Sequence, residues 1–281
     1  MRQKRRIKTI LYHAFAIALG LLMVYPMLWL IASSLKSNSE IFSTATSLIP
    51  KTWGAVENYR SGWAGVGGVN FGRVLLNTLL VTVIGTAGNL LTSLMAAYAI
   101  SRIKFKGSRI WFTCVMITMM IPNQVMVVPQ YIIFKKLNLI DTYASVIAPW
   151  FFGGAFFIFL MLQFFRGIPK EMDEAAEIDG CNKIQTLVYI LMPMVSPAIV
   201  TSAIFSFYWI WQDFFQPLIF LNTPARYTVS LALRMFLDPS SSSNYGGMIA
   251  MCTVSLLPVI IFFICFQKHL VEGMATSGLK G

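Results

Sequence analysis

Charged residues are scarce in this 281-residue sequence: Asp, Glu, Lys and Arg together make up 12% of it, where a soluble globular chain carries about a quarter. Hydrophobic residues make up 57%, and the mean hydropathy is +0.68. These values exclude an ordinary soluble domain and place the chain in the membrane class. One membrane-spanning helix needs roughly 20 apolar residues, so the length leaves room for about six.

Cysteine and histidine are also too few and too scattered for most metal or disulfide chemistry. The four cysteines (Cys114, Cys181, Cys252 and Cys265) form no Cys-x-x-Cys pair and no Cys/His cluster, which argues against a disulfide framework or a zinc site. There is no GxxxxGK[ST] phosphate loop. We therefore predict no catalytic residue, no metal and no cofactor in this chain.

The formal charge of +11 does not indicate a nucleic-acid partner. Lys and Arg flank the apolar runs, as they do in membrane proteins, and form no basic face on a soluble fold. The first apolar run follows a basic N-terminus but is longer than the roughly 7–15 apolar residues of a signal peptide. We therefore expect an uncleaved first helix.

Six apolar runs are predicted to cross the membrane as helices, because lipid tolerates neither open sheet edges nor loops. The predicted spans are 10–33, 74–100, 110–134, 143–165, 193–221 and 247–267. The first span lies between a basic N-terminus (1–9) and an outer segment (34–73). A five-helix core (74–267), which contains the segment 166–192, is followed by a tail (268–281). The positive-inside rule puts both termini and segment 166–192 in the cytoplasm.

Segment 166–192 contains the one densely acidic stretch. Five of the eleven acidic residues lie there: Glu171, Asp173, Glu174, Glu177 and Asp179. Gly180 suits the left-handed conformation that ends a helix, and Asn182 with Gln185 forms a capping signature for a second helix over 183–191. We predict two short helices joined at Gly180. Composition alone favours an ordinary solvated linker.

Two predicted spans carry polar stripes. In the second span the stripe of Thr78, Thr82, Thr86 and Asn89 predicts a close helix–helix contact, with pathway lining as the alternative. In the fifth span, residues at steps of four and three form a stripe: Ser202, Ser206, Trp209, Asp213 and Gln216.

Asp213 is the only acidic residue within any predicted span, and such a residue normally marks function. Its aromatic and amide neighbours suit a sugar, whose apolar face stacks on rings while polar groups bind its hydroxyls. The alternative is that Asp213 lies at the outer interface, paired with a neighbouring donor beside an aromatic belt.

The third span contains Pro122, Asn123 and Gln124, with a second proline at 129. Two prolines free backbone carbonyls and kink a helix. A gate and a packing bend both fit this pattern.

Four stretches in order resemble the carbohydrate permeases of binding-protein-dependent ABC transporters, the MalG-like family. They are EAAEIDGCNKIQTLVYILMP at 174–193, LNLIDTY at 137–143, WQDFFQPLIFL at 211–221 and VEGMATSGLKG at 271–281. Two positions depart from the common pattern: Gln212 stands where Asn is frequent, and TSGLKG stands where GAVKG is frequent. The resemblance implies an all-α integral membrane protein with six transmembrane helices, cytoplasmic termini and the type I ABC importer permease fold.

The resemblance also implies three groups of functional residues. The coupling helix that contacts an ATPase subunit corresponds to Glu174, Ala175, Ala176, Glu177, Asp179 and Gly180. The substrate pathway corresponds to Tyr208, Trp211, Gln212, Asp213, Phe215 and Gln216. The contact with an extracytoplasmic binding protein corresponds to Ser240, Ser241, Ser242, Ser243, Asn244 and Tyr245.

By this resemblance the chain is a multi-pass subunit of the bacterial plasma membrane and half of the channel of an ATP-driven importer of sugars or oligosaccharides. The implied partners are a MalF-like permease, two ATP-binding subunits that would hold ATP and magnesium, a sugar-binding protein and membrane lipid. Nucleic acid is not among them.

The sequence determines the identity of the transported substrate less than any other property. The TSGLKG ending is similar to that of permeases for plant-derived or uronic-acid oligosaccharides, and four basic outer residues would accommodate an acidic sugar: Lys135, Lys136, Arg226 and Arg234. One alternative is an ion-coupled secondary carrier, which a single intramembrane Asp without inverted repeats fits poorly. The other is an ABC permease for a solute that is not a sugar.

Overall fold

The computed structural model describes residues 2–43, 47–237 and 244–278, and every regular element in these ranges is helical. The α-helices are α1 Arg2–Ser34, α2 Glu40–Ser43, α3 Ala55–Ala64, α4 Phe71–Arg102, α5 Ser108–Met120, α6 Asn123–Lys136, α7 Tyr143–Ile147, α8 Ala155–Gly167, α9 Glu171–Ile178, α10 Lys183–Gln185, α11 Met192–Met194, α12 Ser196–Trp211, α13 Phe215–Phe220, α14 Val229–Met235 and α15 Tyr245–Gly278. Shorter helical turns of other pitch cover Ala148–Phe152, Thr186–Leu191 and Pro224–Arg226. The predicted all-α membrane class is confirmed.

Within the described ranges, four stretches are long and apolar enough to cross a membrane, and two bent helix pairs bring the number to as many as six. The four are Lys8–Ser34, Phe71–Arg102, Tyr143–Gly167 and Tyr245–Lys268. The bent pairs are Ser108–Met120 with Asn123–Lys136, and Lys183–Met194 with Ser196–Trp211. These correspond in order to the six predicted spans.

The prediction of one helix for the third span is wrong, because α5 and α6 meet at an angle of 104°. Ile121 is extended (φ −83°, ψ 120°) ahead of Pro122. A proline disfavours helical geometry at the residue before it and removes a backbone N–H. The chain therefore breaks here and does not merely kink.

The fifth span is not one helix from 193 to 221 either. It is bent by 79° at its start, and α12 ends at Trp211, so Gln212 to Phe214 separate it from α13. The predicted stripe therefore stops at Trp209, and Asp213 does not continue its face. The Asp213 side chain accepts hydrogen bonds from the backbone N–H groups of Phe215 and Gln216, a local bond that competes with helix continuation.

Clustering of contacts divides the chain into two compact units, and Met1–Gly72 with Ala232–Leu257 forms the first. Its outer segment is organised by the buried carboxylate of Glu40. This group accepts hydrogen bonds from the N–H groups of Lys51 and Thr52, both at 2.8 Å, and from the Thr52 hydroxyl at 2.6 Å. The buried ammonium of Lys36 donates to the carbonyl of Ser47 at 2.6 Å. Buried polar groups thus order a segment that has no hydrophobic periodicity.

The second unit comprises Arg73–Leu231 and Pro258–Gly281. One apolar cluster packs α4 and α8 against residues 191–198, and another packs α4 against α6, α7, α12 and α13. The Asn89 amide donates to Ser206 Oγ at 3.0 Å and accepts from the N–H of Gly154 at 2.8 Å. This supports the predicted helix–helix contact for the polar stripe of the second span.

Candidate functional site

The acidic insert folds as two short helices joined at Gly180, as predicted. Gly180 has φ +83°. Its N–H donates to the carbonyl of Glu177 at 3.1 Å, and the N–H of Cys181 donates to the carbonyl of Ala176 at 2.9 Å. This pair of bonds is the Schellman motif, which ends a helix and turns the chain.

The second helix begins at the predicted capping box. The N–H of Gln185 donates to Asn182 Oδ1 at 2.9 Å, and the N–H of Asn182 donates to Gln185 Oε1 at 2.8 Å. Beyond Gln185 the helix continues through the π-helical turn Thr186–Leu191 to Met194. The two bonds satisfy backbone donors at both positions and so fix where the second helix starts.

Most of the predicted coupling residues share an exposed surface. Ala176 is buried, whereas the others are exposed: Glu174, Ala175, Glu177, Asp179 and Gly180. Large apolar side chains lie beside them, with Ile178 86% exposed, Ile184 73% and Tyr189 72%. Sequence analysis did not single out these three, because their exposure depends on the fold. A surface that mixes carboxylates with exposed apolar groups is typical of a protein-binding site.

Arg102, the last residue of α4, holds the insert in place. Its guanidinium lies 2.7 Å from Asp173 Oδ2, donates to the carbonyl of Ile168 at 2.7 Å and also donates to the carbonyl of Phe165. One turn earlier, the Tyr98 hydroxyl donates to the carbonyl of Lys183 at 2.9 Å. The end of α4 therefore contacts both helices of the insert. In the sequence, Arg102 was visible only as one of several basic residues flanking a span.

A cavity of about 410 Å³ opens where the breaks of the third and fifth spans meet. Four amide side chains line it (Asn123, Gln124, Gln212 and Gln216), together with the Asp213 carboxylate, the rings of Trp150, Trp209, Phe214 and Phe215, and Val127. Non-helical backbone at membrane depth is tolerated where it is enclosed by protein or lines a cavity. The breaks in the third and fifth spans both line this cavity, so their non-helical backbone meets that condition.

Asp213 lines this cavity and also forms hydrogen bonds that hold the neighbouring backbone. Its Oδ1 accepts from the N–H groups of Phe215 at 3.0 Å and Gln216 at 3.3 Å. Its carbonyl accepts from the Ser230 hydroxyl at 2.5 Å. No hydrogen bond to Oδ2 occurs within the described ranges, which leaves that oxygen available to a ligand.

The structure brings four of the six predicted pathway residues to the cavity: Gln212, Asp213, Phe215 and Gln216. Trp211 is buried and stacks on Phe207, with ring centroids 5.8 Å apart and planes 11° apart. Tyr208 is 45% exposed and lies outside the lining. Sequence analysis did not single out Trp150. The Pro122-Asn123-Gln124 break was the signal that could have placed Asn123 and Gln124 here.

Residues 88–276 match the family described as binding-protein-dependent transport system inner membrane component. The chain belongs to this family. A probable ABC transporter permease protein, YurM of Bacillus subtilis (strain 168), is 33% identical over 92% of this chain and 84% of that protein. The arabinooligosaccharides transport system permease protein AraQ of the same organism is 32% identical over 95% and 94% of the two chains.

A solved structure shares the fold of this permease-family chain. The crystal structure of a bacterial ABC transporter involved in the import of the acidic polysaccharide alginate contains a chain that matches with a TM-score of 0.81. The match covers 94% of this chain and 97% of that one, at 22% sequence identity. The type I importer permease fold expected from the sequence is thereby confirmed.

In this permease-family chain, the predicted contact with a binding protein falls partly outside the described residues, since Ser240 to Ser243 lie there. Asn244 accepts from the N–H of Gly247 at 2.8 Å and donates to Ser61 Oγ at 3.1 Å. Tyr245 packs edge-on against Phe42, with ring centroids 4.9 Å apart. Both residues thus position the start of α15, and the contact itself stays a prediction.

In the LNLIDTY stretch, Asp141 binds the loop after α13 through a set of hydrogen bonds, here called the clasp. The Asp141 carboxylate accepts from the N–H groups of Asn222 and Thr223, both at 2.9 Å, and from the Thr223 hydroxyl and Arg226 Nη1, both at 2.5 Å. Burial acts to raise the pKa of Asp141, but these donors and the Arg226 charge outweigh it and lower the pKa to about 2. Arg226, one of the four basic residues expected to accommodate an acidic sugar, is therefore engaged by Asp141.

Asp141→Asn should lower the melting temperature of the purified permease at neutral pH. Charge-assisted hydrogen bonds contribute about 1.5–3 kcal/mol each, and the clasp loses its charge. Because the folded pKa is depressed, the contribution of Asp141 is complete above its ordinary value near 3.8 and is lost as the pH falls toward 2. The difference from wild type should therefore shrink between pH 4 and pH 2. Thermal unfolding across that range, with Lys135→Gln as the control, measures it. Equal melting temperatures at pH 7 would contradict the clasp.

Proposed function

We propose that this chain is half of the transmembrane channel of an ATP-driven, binding-protein-dependent importer of sugars or oligosaccharides in the bacterial plasma membrane. The observation that carries the proposal is the cavity where two span breaks meet. Aromatic rings suit the apolar face of a sugar, while amides and the free oxygen of Asp213 suit its hydroxyls. Relatives named for arabinooligosaccharides and trehalose support a sugar as the cargo.

The proposal assigns the exposed surface of α9 to an ATP-binding subunit. A second, MalF-like permease would complete the channel, two ATP-binding subunits would hold ATP and magnesium, and an extracytoplasmic binding protein would deliver the sugar. ATP acts in such an assembly only if its binding and hydrolysis stabilise different arrangements of the spans. Because Arg102 and Tyr98 connect the insert to α4, displacement of α9 would move α4.

At the cavity, Trp209 offers a supported ring on which a sugar can stack. It is 37% exposed, and its back packs against Phe156 and Phe157, with centroids 5.3 Å and 5.1 Å away. Rigid support of this kind lowers the entropic cost of binding.

The ligand must be identified before the pathway is tested. Calorimetry of the cognate binding protein with arabinooligosaccharides, starch degradation products, trehalose, diacetylchitobiose and alginate covers the cargoes named for several relatives and for the solved structure. Binding of a sugar together with copurification of ATP-binding subunits supports the proposal. A transporter that runs without an ATPase subunit would instead be an ion-coupled carrier.

Asp213→Asn should reduce uptake of the identified sugar by about tenfold, the effect of one buried hydrogen bond to a charged group. Asparagine keeps an acceptor for the N–H groups of Phe215 and Gln216, so α13 should still form. Trp209→Ala should have a similar effect, and the exposed Phe263→Ala, away from the cavity, should have none. Uptake into proteoliposomes is measured alongside retention of the ATP-binding subunits. Unchanged uptake in both cavity variants would show that these residues contribute to packing and not to the sugar pathway.

A further inference from the structure

The loop between α4 and α5 forms a shallow, open depression on the surface. It has a volume of about 510 Å³ and is lined by Ile103, Lys104, Phe105, Lys106 and Ser108. Two ammonium groups and a hydroxyl thus share a wall with two large apolar side chains, each 38% exposed. No part of the coupling insert or of the cavity at Asp213 contributes to this lining.

The cations of this loop have no acidic partner among the described residues. Among the described residues no ion pair involves Lys104, Lys106 or Arg109 in the first turn of α5, whereas Arg102, the last residue of α4, is paired with Asp173. A further cation is held at the same end of α5, where the guanidinium of Arg166 lies 4.7 Å from the ring centroid of Phe112. The loop therefore presents a concentrated positive charge that the described part of the chain does not neutralise.

The helix that follows packs Phe112 and Val115 against the core and exposes much of its remaining surface. No described residue of α5 is buried, and its first turn exposes 68% of Ile110 and 62% of Trp111. Tryptophan next to basic residues is typical of the level of the lipid headgroups. Because Arg102 ties this end of α4 to the coupling insert, the loop lies at the same membrane surface as α9.

We propose that residues 103–109 bind an anionic phospholipid, with its phosphate on Lys104 and Lys106 and its acyl chains along Ile103, Phe105 and Trp111. Basic groups at a bilayer surface attract anionic lipids, and the apolar side of the depression matches the hydrocarbon beneath a headgroup. This site is separate from sugar transport and does not depend on the identity of the cargo. It would anchor the loop beside the coupling insert.

The test uses photoactivatable phosphatidylglycerol and phosphatidylcholine on the assembled transporter in neutral detergent, followed by peptide mapping. Phosphatidylglycerol should label the peptide containing residues 103–111, and phosphatidylcholine should not. The Lys104→Gln/Lys106→Gln variant should weaken this labelling by about 30-fold, as expected for two cations near a bilayer surface. The matched control, Lys135→Gln/Lys136→Gln, makes the same charge change at the end of α6 and should label as wild type.

Three results would overturn the proposal. Equal labelling by both lipids would show that the contact is only hydrophobic. Full competition by millimolar inorganic phosphate would show a site for a free anion. Loss of the ATP-binding subunits from the double glutamine variant, with lipid labelling retained, would show a protein-docking surface. Lys104→Arg/Lys106→Arg should restore labelling, which separates loss of charge from misfolding.

Discussion

Gly180→Pro should abolish the stimulation of ATP hydrolysis by the sugar-loaded binding protein while the permease still inserts into the membrane. Gly180 has φ +83°, and proline is confined to about −65°. The substitution also removes the N–H that bonds the carbonyl of Glu177 and disfavours the near-helical geometry of Asp179 before it. The second helix of the insert would then leave α9 in a different direction.

Gly180→Asn is the matched control for this variant. A Cβ at Gly180 meets no atom within 4 Å, so side-chain volume is not the obstacle and backbone conformation is. Asparagine enters the left-handed region more readily than other non-glycine residues. Most of the stimulated ATPase activity should therefore survive in proteoliposomes that carry the Gly180→Asn variant. Equal stimulation in the proline variant would refute a role for the turn in coupling.

Glu174→Lys tests the exposed surface of α9 without changing the backbone. A carboxylate in the first turn contributes only about 0.3–1 kcal/mol to its own helix, so the fold should persist. If the surface binds an ATP-binding subunit, reversal of the charge should nevertheless suppress stimulated hydrolysis. Glu171→Lys, in the same turn but outside the EAA match, serves as the comparison. This variant belongs to the same assay as Gly180→Pro.

The turn and the caps of the insert were predictable because their causes are local. Gly180, Asn182 and Gln185 act on backbone groups only a few residues away, and their chemistry can be read without a fold. The break at Pro122 could be predicted in part, also from local sequence. Its prolines indicated a disturbed helix, but the 104° angle depends on what the two halves pack against.

The cavity was not predictable, because it depends on contacts between distant segments. Asn123 and Asp213 line one cavity only once both spans are broken, and a single helix over 193–221 put Asp213 on the wrong face. The positions of Trp211 and Trp150 could not be predicted from the sequence for the same reason. Both are tryptophans in apolar runs, and only packing decides that the first is buried on Phe207 and the second lines the cavity. The coupling residues were predicted from the resemblance to the family, because periodicity alone indicates no contact with an ATP-binding subunit.

Arg102→Ala should produce a large loss of stability. The Arg102 side chain is 5% exposed and that of Asp173 is 24% exposed. Removing one partner of a buried pair costs about 3–5 kcal/mol, because the remaining charge stays without compensation. The carbonyl of Ile168 would also lose its Arg102 donor, and that of Phe165 would keep only the N–H of Ile168. We expect a lower melting temperature and loss of the ATP-binding subunits together.

Two further variants separate the charge of Arg102 from its geometry. Arg102→Lys keeps the charge, but an ammonium cannot reach Asp173 and two carbonyls in the planar arrangement of a guanidinium, so it should rescue little. Asp173→Asn keeps an acceptor and should cost less than Arg102→Ala. Lys183→Ala breaks the other ion pair of the insert, whose side chains are 63% and 72% exposed, and exposed pairs contribute only about 0–1 kcal/mol. If Lys183→Ala and Arg102→Ala lowered the melting temperature equally, the insert would be held by its surface charges and not by the end of α4.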